Sequence, residues 1–187
     1  MLKSALASWT LFFGLLLIMS GNGLQVVLLG TEATQAGFSK ITTGLIMAGY
    51  FLGIFCGSIL VPRMLTNVGH VRVFGAMAAL ASAAVLVVAA FVNPMVWGLM
   101  RLITGFSFAG MYIVCESWLN DKSTNETRGQ MLSLYMIFSM GGLAIGQMLI
   151  GAGDDEGIGL FLLASVLVSI AVVPVLLSVG KAPALEE

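Results

Sequence analysis

The sequence predicts an all-α membrane protein of six transmembrane helices arranged as a 3+3 inverted repeat, and three observations carry that prediction. First, 59% of its 187 residues are apolar, 9% are charged, and the mean hydropathy is +1.04. A soluble domain carries roughly 25% charged residues. Second, six stretches supply the roughly 20 apolar residues that a helix needs to cross a hydrocarbon core of about 30 Å. Third, the peculiarities of the first three stretches return in the last three in the same order.

Taken in turn, the spans are Ser8–Gly30, Ser39–Pro62, Val71–Val92, Met95–Leu119, Gln130–Gly151 and Ile158–Val179, within one domain covering residues 1–187. The first follows Lys3 and ends its apolar core near "SGNG", which imitates a signal peptide, but "LQVVLLG" prolongs it and five more spans follow. Asn93-Pro94 marks the start of the fourth with an N-cap and a first-turn proline, and Thr127 with Gln130 has capping-box spacing at the start of the fifth. Loop charges set the orientation: with both termini cytoplasmic, Lys3, Arg63, Arg72, Lys122, Arg128 and Lys181 fall inside, whereas Lys40 and the acidic Asp154-Asp155-Glu156 fall outside. The glycosylation-like Asn125-Glu126-Thr127 then lies on the cytoplasmic side.

Splitting the chain after the third span pairs the first with the fourth and the second with the fifth. The first and fourth are interrupted at mid-depth, by Ser20, Gly21, Asn22, Gly23 and Gln25 in one and by Arg101, Gly105, Ser107 and Gly110 in the other. The second and fifth carry small residues every fourth position, Gly49, Gly53 and Gly57 against Gly142 and Gly146, the spacing that lets helix backbones approach closely. Three spans per repeat make the repeats opposite in topology, and matched interruptions in inverted repeats point to a midplane transport site.

Several function classes are excluded. A net charge of −1 offers no polybasic surface to nucleic acid. Cys56 and Cys115 each sit in an apolar run without metal or redox spacing and are expected to fill space. The single histidine, His70, is expected to be solvated in the loop beside Gly69, with no second ligand or catalytic partner. Neither an enzyme nor a cofactor or metal is therefore expected.

Across essentially all its length the chain resembles the N-terminal six-helix half of a major facilitator superfamily transporter, and within it a bacterial branch carrying strings such as "GNGLQ", "GYFLG", "VGHVR", "ESWLN" and "RGQMLSLYM". The loop between the second and third spans keeps Gly57, Arg63, Gly69 and Arg72 of that family's motif but lacks its aspartate. Arg101, Gly105 and Gly110 match the arginine-and-glycine motif of the fourth helix. The fifth helix has Gly146-Gln147 where the antiporter motif has Gly-Pro, so the resemblance does not carry proton antiport over. What it implies is secondary transport of a small solute by alternating access. It also implies a charge cluster of Glu116 with Arg63 and Arg72 that latches the state closed to the cytoplasm; the alternative for Glu116 is an interfacial anchor beside Trp118.

Arg101 lies about six residues, roughly 9 Å, from the centre of its span. Arginine at such depth costs on the order of 2.5–3.5 kcal/mol and must face protein or water. It shares a helical stripe with Gly105, Phe108 and Tyr112, and no Asp or Glu lies at mid-depth to pair with it. Its expected partners are Asn22 and Gln25 of the first helix or an anionic solute. Two roles stay open: direct contact with a small anionic substrate, or a structural arginine bonded to backbone, with an apolar solute as the other substrate class. The competing function is a non-transporting membrane assembly or anchoring module. The polar seam of the first and fourth helices calls for a second six-helix half to cover it, supplied by a parallel homodimer or by a homologous half.

Overall fold

The computed structural model describes residues 9–152 and 158–177; Lys3, the Asp154-Asp155-Glu156 cluster and Lys181 lie outside the described residues. The elements are α1 (Trp9–Gln35), α2 (Lys40–Val68), α3 (His70–Ala90), α4 (Pro94–Asp121), α5 (Arg128–Met148) continued by a 3₁₀ turn (Leu149–Ala152), α6 (Gly159–Ile170) and α7 (Val172–Leu177). They make six segments long and apolar enough to cross a membrane, the sixth composed of α6 and α7. No strand occurs among the described residues.

Helix boundaries follow local chemistry. Asn93 Oδ1 accepts from the Met95 and Val96 amides at 2.9 and 3.3 Å, and Pro94 opens α4. Ser39 Oγ caps α2 by accepting from the Thr42 amide at 3.1 Å. Thr127 does not make the expected capping box; its side chain caps nothing in α5, and its hydroxyl instead accepts from the Thr124 amide at 3.0 Å. Nor does Pro62 end the second span. Proline removes only its own amide and the bond to the carbonyl four residues back, which a membrane helix can tolerate, and α2 runs on to Val68. Gly69, at φ 85°, then joins α2 directly to α3 in a backbone conformation that disfavours any side chain. Ahead of Pro174, by contrast, the sixth segment breaks at Ala171, between α6 and α7.

Packing obeys the inverted repeat. The two most extensive helix pairs are α2 with α4 and α1 with α5, which exchange when the repeats are exchanged, as do α3 with α4 and α6/α7 with α1. The same correspondence holds residue by residue. Side-chain space at Gly53 is closed by the Leu102 carbonyl and at Gly146 by the Ser20 carbonyl; at Gly49 it is closed by the Gly98 carbonyl and at Gly142 by the Leu16 carbonyl. Gly105 faces the Tyr50 carbonyl as Gly23 faces that of Leu143. Gly57 extends the α2 row against Ala109.

Two apolar clusters form the interior. One contains Phe74, Met111 and Trp118, the other Leu24, Val85 and Trp97. Residues at the junction between them are polar on four segments: Ser20 and Asn22 on α1, Ser82 on α3, Arg101, Thr104 and Ser107 on α4, and Ser165 on α6, all buried. The outward surface is apolar, with Phe51 and Phe55 of α2 and Ile137 of α5 among the most exposed.

Adding a methyl group at Gly53 or Gly105 drives a side chain into backbone, so Gly53→Ala and Gly105→Ala should each lower stability by about 1–3 kcal/mol or prevent folding. Gly44→Ala, at a position with no atom close enough to obstruct it, should be neutral. Folded yield and thermal unfolding of the three purified variants check this; equal behaviour at the three positions would contradict the close approach of α2 and α4.

Candidate functional site

Most of the buried polar layer satisfies itself. Ser20, Thr104 and Ser107 donate to the carbonyls of Leu16, Met100 and Ile103 at 2.8, 2.7 and 2.8 Å. Ser82 Oγ meets Ser165 Oγ at 2.7 Å and accepts from Ser169 Oγ at 2.9 Å, pinning α6 to α3. These hydroxyls close on themselves and leave nothing for a ligand.

The exception is a cluster where α1, α2 and α4 converge. Arg101 is 3% exposed, and its guanidinium carbon lies 4.5 Å from the centre of the Tyr50 ring, a cation–π contact. Asn22, 5% exposed, places its amide nitrogen 3.2 Å from the Tyr50 hydroxyl and 3.1 Å from the Tyr112 hydroxyl. Tyr50 and Tyr112 also flank the fully buried Phe108, at ring separations of 6.3 and 6.0 Å. Gln25, one turn along α1 from Asn22, is 1% exposed. Four polar atoms here are buried without a hydrogen-bond partner: Arg101 Nε and Nη1, Gln25 Nε2 and Asn22 Oδ1. An unpaired polar group in a low-dielectric interior is costly, so this concentration marks a place where a further group can bind.

The structure thus connects three of the expected residues, Arg101, Asn22 and Tyr112, through one that the sequence analysis did not single out. Tyr50 stands between Gly49 and Gly53 on the packing row of α2, and that position was the available signal. The seam is also buried within the six-helix bundle itself. The expectation that a second half is needed to cover it is therefore corrected: α1 and α4 turn their polar residues toward α2 and each other, and the glycines permit it.

At the end of the bundle where α2 meets α3, the expected pairing of Glu116 with Arg63 and Arg72 is not formed. All three side chains are exposed, and Glu116 Oε1 accepts from the Tyr135 hydroxyl at 3.1 Å. His70 Nε2 lies 4.0 Å from Asp121 Oδ2, an ion pair when the imidazole is protonated. His70 is not a solvated loop residue: it opens α3, is buried, and meets Ser117 Oγ at 2.9 Å beneath Trp118, whose ring also receives Lys122 at 5.4 Å. The α2–α3 junction has no loop, which forces the residue after Gly69 against the end of α4. No group of three metal-ligating side chains occurs among the described residues.

Six membrane-length helices in an inverted repeat, with a cation buried at a convergence of three of them, define an integral membrane protein of the transporter class. The chain belongs to the Major Facilitator Superfamily, whose profile matches residues 11–186. That membership assigns it to a class of transporters and not of enzymes. Among its relatives are proteins named "Uncharacterized MFS-type transporter YcaD" from Salmonella arizonae, Salmonella newport and Salmonella typhimurium, each 25% identical over 146 residues, 78% of this chain and 38% of the relative. The chain therefore spans well under half the length of the curated relatives it matches.

Proposed function

We propose that the chain forms, as one six-helix domain, the N-terminal half of a secondary transporter that moves a small anion by alternating access across the cytoplasmic membrane, with both termini cytoplasmic. One observation carries the anion: Arg101 is buried with two guanidinium nitrogens unpaired, and among the described residues no carboxylate faces it. A positive charge so placed favours a negatively charged solute, which would be held by Arg101, Asn22 and Gln25, with Tyr112 beside it.

The orientation is supported by charge. Arg63, Arg72, Lys122 and Arg128 gather at the end where α2 meets α3, and Lys40 stands alone among the described residues at the other. A partner half completes the transport path. The open apolar faces of α2 and α5 are its natural seat, and it is either a second copy in a parallel dimer or a homologous six-helix half. In the conformation described here Glu116 rests on Tyr135; release from that hydroxyl frees it for Arg63 or Arg72, all on one end of the bundle, and such a pair biases the two-state equilibrium by about one to a few kcal/mol.

Uptake of labelled anions into proteoliposomes tests the main reading. Arg101→Lys keeps the charge but loses the planar fork, so transport of a carboxylate or phosphate solute should fall by roughly tenfold, with Arg101→Ala inactive. Undiminished anion uptake by Arg101→Ala would refute an anion contact there. For the latch, Glu116→Gln should change the labelling rate of cysteines placed on the cytoplasmic halves of α1 and α4; an unchanged rate would leave Glu116 an anchor.

A further inference from the structure

The hydrogen-bond inventory around Asn22 goes further than a lone cation. Donation from the amide nitrogen to both the Tyr50 and Tyr112 hydroxyls uses each phenolic oxygen as an acceptor, and the two phenolic protons receive nothing from Asn22. Oδ1, meanwhile, stays buried and bare. The two ends of a side-chain amide have nearly the same shape, and hydrogen bonding decides which atom stands where. With the amide turned by half a revolution, Oδ1 occupies the position 3.2 Å from one hydroxyl and 3.1 Å from the other and accepts both protons. One rotation thereby satisfies the oxygen and two phenols. It leaves Nδ2 as the unpaired atom.

We infer that Asn22 is held in this turned orientation by Tyr50 and Tyr112, so that the unpaired donors Asn22 Nδ2, Gln25 Nε2 and Arg101 Nε and Nη1 form a donor-rich cage for a small oxyanion. This rests on the anion reading above and narrows it. A donor-rich cage beside a guanidinium disfavours neutral amides and alcohols, which bring no negative charge to meet that of Arg101. It takes a group that only accepts: a carboxylate or a phosphate. Tyr50 then has two tasks, since its ring faces Arg101 and its hydroxyl fixes the amide. Tyr112 fixes the amide from the α4 side and is a positioning residue for the cage.

The test uses Asn22→Asp. A carboxylate at this position still accepts from both phenols, so the fold is kept, but it replaces the cage's amide donor with a negative charge beside Arg101. The protein, purified from membranes with whatever half completes it, is heated in a zwitterionic buffer with sodium acetate, inorganic phosphate or the neutral isostere acetamide. A ligand that binds only the folded state raises the unfolding temperature. Acetate or phosphate should raise that of the wild type, the larger rise naming the class, and acetamide should not. Asn22→Asp should unfold at or above the wild-type temperature with the anion-dependent rise gone, and Arg101→Gln should also lose the rise. The cage is overturned if the rise persists in Asn22→Asp, if acetamide matches the anions, or if neither anion shifts the wild type. Uptake separates this from the transport reading: anion transport unaffected by Asn22→Asp removes the cage alone, and anion binding with the predicted variant pattern but no transport removes the transport reading alone.

Discussion

The buried guanidinium of Arg101 is the constraint on which the rest of the structure depends. Placing it at this depth costs on the order of 2.5–3.5 kcal/mol, and a desolvated cation–π contact returns about 2. That contact exists only because α2 and α4 nearly touch. Gly53 packs on the Leu102 carbonyl, Gly105 on the Tyr50 carbonyl, and Gly49 on the Gly98 carbonyl and the first carbon of the Arg101 side chain. The glycine row and the cation are one device: the small residues bring the Tyr50 ring under the charge, and the charge gives the close approach a purpose beyond packing.

The inverted repeat explains why the device has a place to sit. Each tight pair, α2 with α4 and α1 with α5, spans the two repeats, so the interrupted helices α1 and α4 are each gripped by a partner from the other repeat. Their mid-depth residues meet at the level where one apolar cluster ends and the other begins. The repeats are alike in backbone packing and unlike in chemistry. Arg101 has no charged counterpart at mid-depth on α1, where Ser20, Asn22 and Gln25 supply a hydroxyl and two amides.

Much of this was legible in the sequence because lipid imposes simple rules. Apolar length marks the six segments, Asn93-Pro94 starts α4, and glycines at fourth positions mark the helices that pack closely. What was not legible depends on three-dimensional neighbours. Pro62 and Pro174 look alike in sequence, yet α2 continues past the first and the sixth segment breaks ahead of the second. His70 becomes buried because Gly69 alone connects two helices. The polar seam shows in the sequence, but whether it faces a partner or the bundle's own interior depends on which way α1 and α4 rotate. Tyr50 carries no polar signal among its apolar neighbours; its place between Gly49 and Gly53 marks it as a packing residue, and its contact with Arg101 reveals its further part.

The most direct test of the central claim is the state of the Arg101 guanidinium itself. With the protein labelled with ¹⁵N-arginine in lipid nanodiscs, the account predicts one side-chain Nε–H signal that exchanges slowly with water, carries the ring-current shift of the Tyr50 face, and moves on titration with a small carboxylate or phosphate while those of the exposed Arg63 and Arg72 do not. An Arg101 signal that exchanges as fast as those of Arg63 and Arg72, loses nothing in Tyr50→Leu and ignores added anion would contradict it.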